Sequence, residues 1–437
     1  MSGPTLEDIL DSAERVLAKY PLCDHCLGRL FARLGRELGN DERGRALKTL
    51  LAMRFTLREN EPAGERDREV LSTLARNAGE PFTRLYLKLH GQGVDAEKCY
   101  VCGGLLSRSL FDELASKIAG ELKKLDASTF LIGVRLGEGV FERELEVLKL
   151  SGLNYSESIK SEIKREVGKR VASITGLQPS FTNPDVLAIV EFPSLSVSLD
   201  IKPVYLRGVY LKLGRNISHT PWITREGVKK YPLSIQEFLD AKLRGLFQAE
   251  KTLIHAAGRE DVDARMVGTG RPLVVEVVRP LKRRVEIGEL NKLLHAGVVS
   301  VMIEGYATPR DVRVVKEVVG RKAKVYKILV LLEGDVGDDR LEQLENFFRN
   351  RVVMQRTPTR ILRRKKDVAR RRKVYAVKAV KLGRRMLEAL VYCESGLYVK
   401  ELVHCDGGRT NPCFPTVLGV GAQPLELDVF GFAEKPE

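Results

Sequence analysis

The stretch Ala257–Pro272, "AGREDVDARMVGTGRP", packs three arginines, one glutamate, two aspartates and three glycines between a helical pattern and an apolar strand pattern. A loop in that place can hold a carboxylate at the edge of a sheet. Asp261 and Asp263 would share one face of an extended backbone, with Val262 on the other. Arg259 and Arg265 could keep an aspartate ionised, and an ionised aspartate can act as a nucleophile or base. The same residues allow a polar turn in which Asp261 caps neighbouring amides. Glu260, Asp261 and Asp263 could also hold a hard cation.

Working outward, residues 234–258, "SIQEFLDAKLRGLFQAEKTLIHAAG", read as a helix leading straight into this loop. After it, "RPLVVEVVRP", "VVSVMIEGY" and "RKAKVYKILVLLEG" read as strands, with a short helix at "IGELNKLLHAG" and another at "DDRLEQLENFFRNR". "VYAVKAVKLGRRMLEALVYCESG" reads as two strands joined at Gly383. Upstream, "TFLIGVRL", a long helix at "SESIKSEIKREVGKRVASITG", and then "DVLAIVEF", "LSVSLDIK" and "VYLRGVYLKL" describe an α/β module. The first hundred residues are helical around two cysteine turns. The overall class is α+β.

Those turns are "CDHC" and "CYVC". Cys23, Cys26, Cys99 and Cys102 supply four soft ligands, which suit tetrahedral zinc in a closed structural site. His25 lies inside the first turn but is not needed once four thiolates fill the shell. Cys393, Cys405 and Cys413 have no ligand-like spacing, and seven cysteines do not make a disulfide framework.

Arg356–Lys373, "RTPTRILRRKKDVARRRK", holds ten Lys or Arg against the single acid Asp367. Like charges at helical spacing repel, so a phosphate backbone is the natural partner. The whole chain agrees: 437 residues carry 73 Lys plus Arg against 58 acids, a net charge of +15. Such an excess favours nucleic acid over an acidic membrane. Its length exceeds the roughly 250–300 residues of one core, so two or three domains are expected. No apolar run of about 18 residues exists to span a bilayer. The N-terminal segment reads as an amphipathic helix begun by Thr5 and Asp8 in a capping box rather than as a leader, so a cytoplasmic protein is expected.

"GREDVDARM" resembles the G-R-x-D pattern of pseudouridine synthases, and the whole chain resembles the archaeal and eukaryotic tRNA pseudouridine 54/55 synthase family. "KVYKILV" matches the segment bearing an active-site tyrosine, and "LYVKELVHCDGGRT" resembles the segment bearing a basic partner of the aspartate. The double CxxC followed by an α/β module resembles that family's zinc and THUMP-containing half. The resemblance implies that Asp261 is the nucleophile or base, that Lys400 orients it, and that Tyr326 stacks on the target base. It implies that Val399 and Leu427 pack the uracil, that Arg259 supports the flipped nucleotide, and that Asp263 supports Asp261. Cys405 stands where the family's "VHGD" has glycine, and Val399 where isoleucine is common.

The implied architecture is an accessory RNA-binding half over residues 1–215, with a zinc module to about 110 and a THUMP-like module from 111, then a mixed, mainly antiparallel catalytic domain over 216–437. The implied partner is tRNA, modified at position 55 and also 54, with structural zinc and no catalytic cofactor. Nothing suggests an obligate oligomer, so a monomer is expected. A non-catalytic zinc-containing RNA-binding protein is the alternative from another class. A methyltransferase would need a glycine-rich loop with a domain after it, and "GVGA" at 419–422 leaves no room for one.

Overall fold

Thr5 opens the first helix, Leu6–Leu17, through the expected capping box: the Asp8 N–H donates to its hydroxyl, and the Asp8 carboxylate accepts from the Thr5 N–H at 2.7 Å. The computed structural model describes residues 5–58, 65–363 and 365–434. The chain divides between Lys202 and Pro203 into two units.

In the first unit, helices Leu6–Leu17, Asp24–Arg29, Asn40–Arg58, Glu65–Ala78, Phe82–His90 and Arg108–Leu122 precede a four-stranded sheet. Strand β1 (Thr129–Leu136) lies between β2 (Gln178–Pro179) and β3 (Val186–Phe192), parallel to both, and β4 (Ser196–Ile201) is antiparallel to β3. Alternate residues of β3, namely Val186, Ala188, Val190 and Phe192, are buried, as a period of two demands. Ile163 and Val167 of helix Ile159–Thr175 bury the matching apolar stripe in the same core. Burying Val190 or Phe192 contributes roughly 1.5–3 kcal/mol each. A Val190→Asp change would forfeit that and strand a carboxylate in the core.

The second unit holds β5 (Val204–Lys212), β6 (Lys251–Ala256), β7 (Arg265–Val278), β8 (Val299–Ala307), β9 (Ala323–Leu332), β10 (Arg351–Gln355), β11 (Arg370–Gly383), β12 (Met386–Cys393), β13 (Thr410–Asn411) and β14 (Ala422–Ala433). Their order is β13-β10-β11-β12-β9-β14-β7-β5-β8, with β6 beside β7. Among the described strands of this sheet only the β14–β7 pairing is parallel, so the sheet is mixed and mainly antiparallel. One core gathers Phe238, Leu239, Leu243 and Phe247 of helix Ile235–Phe247 against β5 and β7. Another gathers Leu341, Leu344 and Phe348 of helix Asp338–Phe348 with residues of β9, β11 and β12.

Two expectations are corrected. "VYLRGVYLKL" does not close the first half: β5 pairs with β7 and β8, so the division falls before it rather than at 215. Alternating apolar residues specify a strand but not the sheet it joins. The helix expected over 234–258 ends at Phe247, where Gln248 takes a left-handed φ of +47°. Lys251–Ala256, with β-branched Thr252 and Ile254, becomes β6 on the edge of β7. Of the three cysteines outside the CxxC turns, Cys405 and Cys413 form a disulfide.

The basic run is not a helix. Thr359–Ile361 makes one 3₁₀ turn, and Arg370 already begins β11. Arg364 of this run lies outside the described residues.

Candidate functional site

Gly258 turns the chain out of β6 with φ +79°. A Cβ there would also come within 3.5 Å of both Arg271 Nη1 and Lys324 Nζ. The chain then passes Arg259–Ala264, where the Ala264 N–H donates to the Asp261 carbonyl at 3.0 Å and makes a turn rather than an extended run. Asp261 and Asp263 nonetheless meet at one cation. Lys400 Nζ donates to Asp263 Oδ2 at 2.6 Å and lies 3.6 Å from Asp261 Oδ2. Burial works against the Asp263 carboxylate, but the Lys400 ammonium outweighs it and holds its pKa below the ordinary value.

A second cation reaches Asp261. Arg360 Nη2 lies 2.9 Å from Asp261 Oδ2, while its Nε donates to Glu401 Oε1 at 2.7 Å. Glu401 is buried. Burial disfavours the Arg360 charge, yet Glu401 and Asp261 together raise its pKa. The two cations at Asp261 are thus Arg360 and Lys400, not the expected Arg259 and Arg265. Arg265 is engaged by Asp428 at 2.8 and 2.6 Å, and Arg259 is exposed on the cleft wall.

Local structure explains how these groups converge. Lys400 and Glu401 are adjacent on helix Val399–His404. The amide of Gln355 fixes the residue before that helix, accepting from Tyr398 N–H and donating to Tyr398 C=O at 2.9 Å each. Arg360 comes from the basic loop. Asp406 accepts from the Thr359 N–H at 2.8 Å, and Arg409 donates to the Thr357 carbonyl at 2.9 Å and pairs with Asp367. Cys405, standing where glycine was expected, adopts φ +64°, a left-handed conformation that glycine would take freely, and is tied to Cys413.

Asp261 opens into a cleft of about 930 Å³. One wall carries Trp222 and Tyr231 in an edge-to-face pair, ring centroids 5.6 Å apart, with Lys230 Nζ 5.2 Å from the indole centre. Arg360, Arg363 and Lys365 also line it. Tyr326, on β9, is part-buried between both cores of this unit; burial, then Cys393, raises its phenol pKa, and Asp261 adds to the rise. Val399 and Leu427 are 3% and 7% exposed and pack in the core with Ala264 and Tyr326.

Arg360 and Glu401 escaped the reading of the sequence. Arg360 was concealed among other basic residues, and Glu401 adjoined a residue already singled out. Short spacing to Lys400 is the signal that would have pointed to Glu401.

In the first unit, the sulfurs of Cys23, Cys26, Cys99 and Cys102 all lie within 4.8 Å of one another, positioned to bind a metal ion. Metal–sulfur bonds of ~2.3 Å in a tetrahedron place sulfurs ~3.8 Å apart. The Cys23–Cys102 separation of 3.6 Å fits that figure. His25 is not a ligand; its Nδ1 pairs with Glu162 at 2.8 Å. No described helix is long and apolar enough to cross a membrane.

The family model "Pus10, C-terminal" matches residues 205–432, and "Pus10 THUMP domain, archaeal" matches 114–191. The chain is 48% identical over 424 residues to a tRNA pseudouridine synthase Pus10 of Thermosphaera aggregans, covering 96% of each. It is 42% identical over 426 residues to the protein of that name from Aeropyrum pernix, again covering 96% of each. With the one from Ignisphaera aggregans it shares 39% over 427 residues, 96% of this chain and 98% of that one. A solved Cbf5-Nop10-Gar1 complex aligns with 52% of this chain and 47% of its own at 21% identity, with a TM-score of 0.29.

Proposed function

The chain belongs to the Pus10 family of pseudouridine synthases, and on that premise we propose that it isomerises uridine to pseudouridine in the TΨC arm of tRNA, at position 55 and also at 54. The observation that carries the reading is Asp261, whose carboxylate faces a basic, aromatic-walled cleft with Arg360 and Lys400 at 2.9 and 3.6 Å.

The reaction cleaves N1–C1′, turns the uracil and joins C5 to C1′, after which C5 loses its proton and N1 gains one. Nothing is oxidised and no group is imported, so the chemistry asks for no catalytic cofactor. Asp261 acts in its ionised form, either attacking C1′ or removing the C2′ proton. Lys400 and Arg360 orient it. Tyr326 stacks on the uracil, Val399 and Leu427 form the apolar floor behind it, and Arg259 supports the extruded nucleotide. Extrusion costs a few kcal/mol. Stacking on Trp222 or Tyr231 and phosphate contacts from Lys230, Arg363 and Lys365 offset that cost.

Residues up to 202 form the accessory, tRNA-recognising half, and those from 203 the catalytic domain. The four cysteines hold a structural zinc ion. A closed set of four thiolates leaves no open position for chemistry, so the ion serves as a staple of the fold.

The test is incubation of the purified protein with unmodified tRNA transcripts, followed by chemical mapping of pseudouridine. Pseudouridine at 55 and 54 is expected, and transcripts with cytidine at either position should each lose one signal. No pseudouridine on any transcript would overturn the reading.

A further inference from the structure

Next to Asp261 in sequence, Glu260 carries its side chain into a buried ionic cluster that no step above uses. Its side chain is 2% exposed. Its Oε2 accepts from the Tyr210 hydroxyl at 2.8 Å and from Arg271 Nε at 3.0 Å, and its Oε1 lies 3.5 Å from Lys212 Nζ. Lys212 and Arg271 are each 1% exposed. Both cations also grip the backbone of the loop. Lys212 Nζ donates to the carbonyls of Asp261 and Val262 at 3.1 and 3.2 Å, and Arg271 Nη1 donates to that of Ala257 at 2.7 Å. The loop is therefore clamped on both sides of Asp261 by two buried cationic groups, and one carboxylate lies between them.

Buried cations are stable only while paired, and removing a partner leaves an uncompensated charge. We infer that Glu260 is a positioning residue: its carboxylate holds Lys212 and Arg271 on the loop carbonyls and so fixes the direction in which Asp261 faces its substrate. This rests on the reading of Asp261 as the reacting group.

Around Lys212 stand Glu260, Tyr210 on its own strand, Arg271 on β7, Asp263 in the loop, and His219, which contacts Tyr210 at 3.0 Å. Lys324 on β9 lies beside Arg271. Burial lowers the pKa of Lys212, and Glu260 is the first group opposing that. Without the Glu260 charge, Lys212 would lose its proton, and the loop its clamp, at a lower pH.

The test uses the full chain and unmodified tRNA transcript, comparing wild type with Glu260→Gln and Glu260→Asp. Glu260→Gln should lower kcat about 30-fold or more with KM within about threefold, since misplacement of a reacting group by about 1 Å costs on the order of a hundredfold. The basic limb of its kcat–pH profile should move to lower pH, and Glu260→Asp should restore part of the rate. An unchanged kcat with an unchanged basic limb would overturn the inference. Amide hydrogen exchange across 257–264 reads the same positioning without substrate. Faster exchange in Glu260→Gln supports the inference, and unchanged exchange overturns it, whether or not the wild type modifies tRNA. Should Glu260→Gln fail to fold, Tyr210→Phe removes one bond to the same carboxylate. It should lower kcat about threefold, and no change would be equally adverse.

Discussion

Lys400 Nζ sits between two carboxylates, 2.6 Å from Asp263 and 3.6 Å from Asp261. Asp263 thus holds the ammonium in place while leaving Asp261 open to the cleft. Arg360 completes the arrangement from the other side, anchored on buried Glu401.

Lys400→Met removes one oriented cation from Asp261, the carboxylate proposed to react. A loss of about 100-fold in the single-turnover rate is expected, comparable to deleting one preorganised electrostatic partner. Asp263→Asn should cost less, since Lys400 then turns toward Asp261. Equal losses in both variants would contradict this division of roles.

Arg363 and Lys365 line the cleft, where the proposed function has them meet the phosphates of the RNA. Replacing either with alanine should weaken tRNA binding for all sequences alike and reduce the log–log salt slope by about 1 for each phosphate left without its cation. Filter binding between low and moderate salt measures it.

His219 gives a pH prediction. Burial lowers its pKa from 6.5 to about 4. The unfolded chain therefore binds a proton that the folded chain refuses, so stability falls as pH drops from about 6.5 to about 4 and levels off below. The span corresponds to at most about 3 kcal/mol. With its one hydrogen donated to Glu260, the Tyr210 oxygen accepts from the neutral His219 Nε2–H. Denaturant titrations should show this slope in the wild type and a flatter one in His219→Gln.

The cysteine cluster predicts about one zinc ion per chain on metal analysis. Stripping the ion, or Cys26→Ser, should melt the first unit, because metal-binding free energy is folding free energy in such sites. A fully folded, metal-free protein would contradict it.

What the sequence disclosed follows the range of the interactions. The CxxC turns are local, so the meeting of Cys23, Cys26, Cys99 and Cys102 was legible directly, and the G-R-x-D stretch pointed to Asp261, which lines the cleft. Strand patterns were legible too, but β5 joined the second sheet because pairing is a tertiary choice. β6 was missed because the apolar residues of "KTLIHA" continue the period of the helix before it, although the left-handed turn at Gln248 ends that helix at Phe247. Arg360 reaches Asp261 only because Asp406 and Arg409, far along the chain, pin the loop that carries it.

The measurement that bears most directly on the account compares wild type and Asp261→Asn on the same unmodified tRNA transcript. Pseudouridine is mapped in both, and tRNA binding is measured alongside. Asparagine keeps the shape of the side chain and removes its negative oxygen. The account predicts pseudouridine with the wild type, none with the variant, and binding retained by both. Equal modification by the two proteins would contradict it.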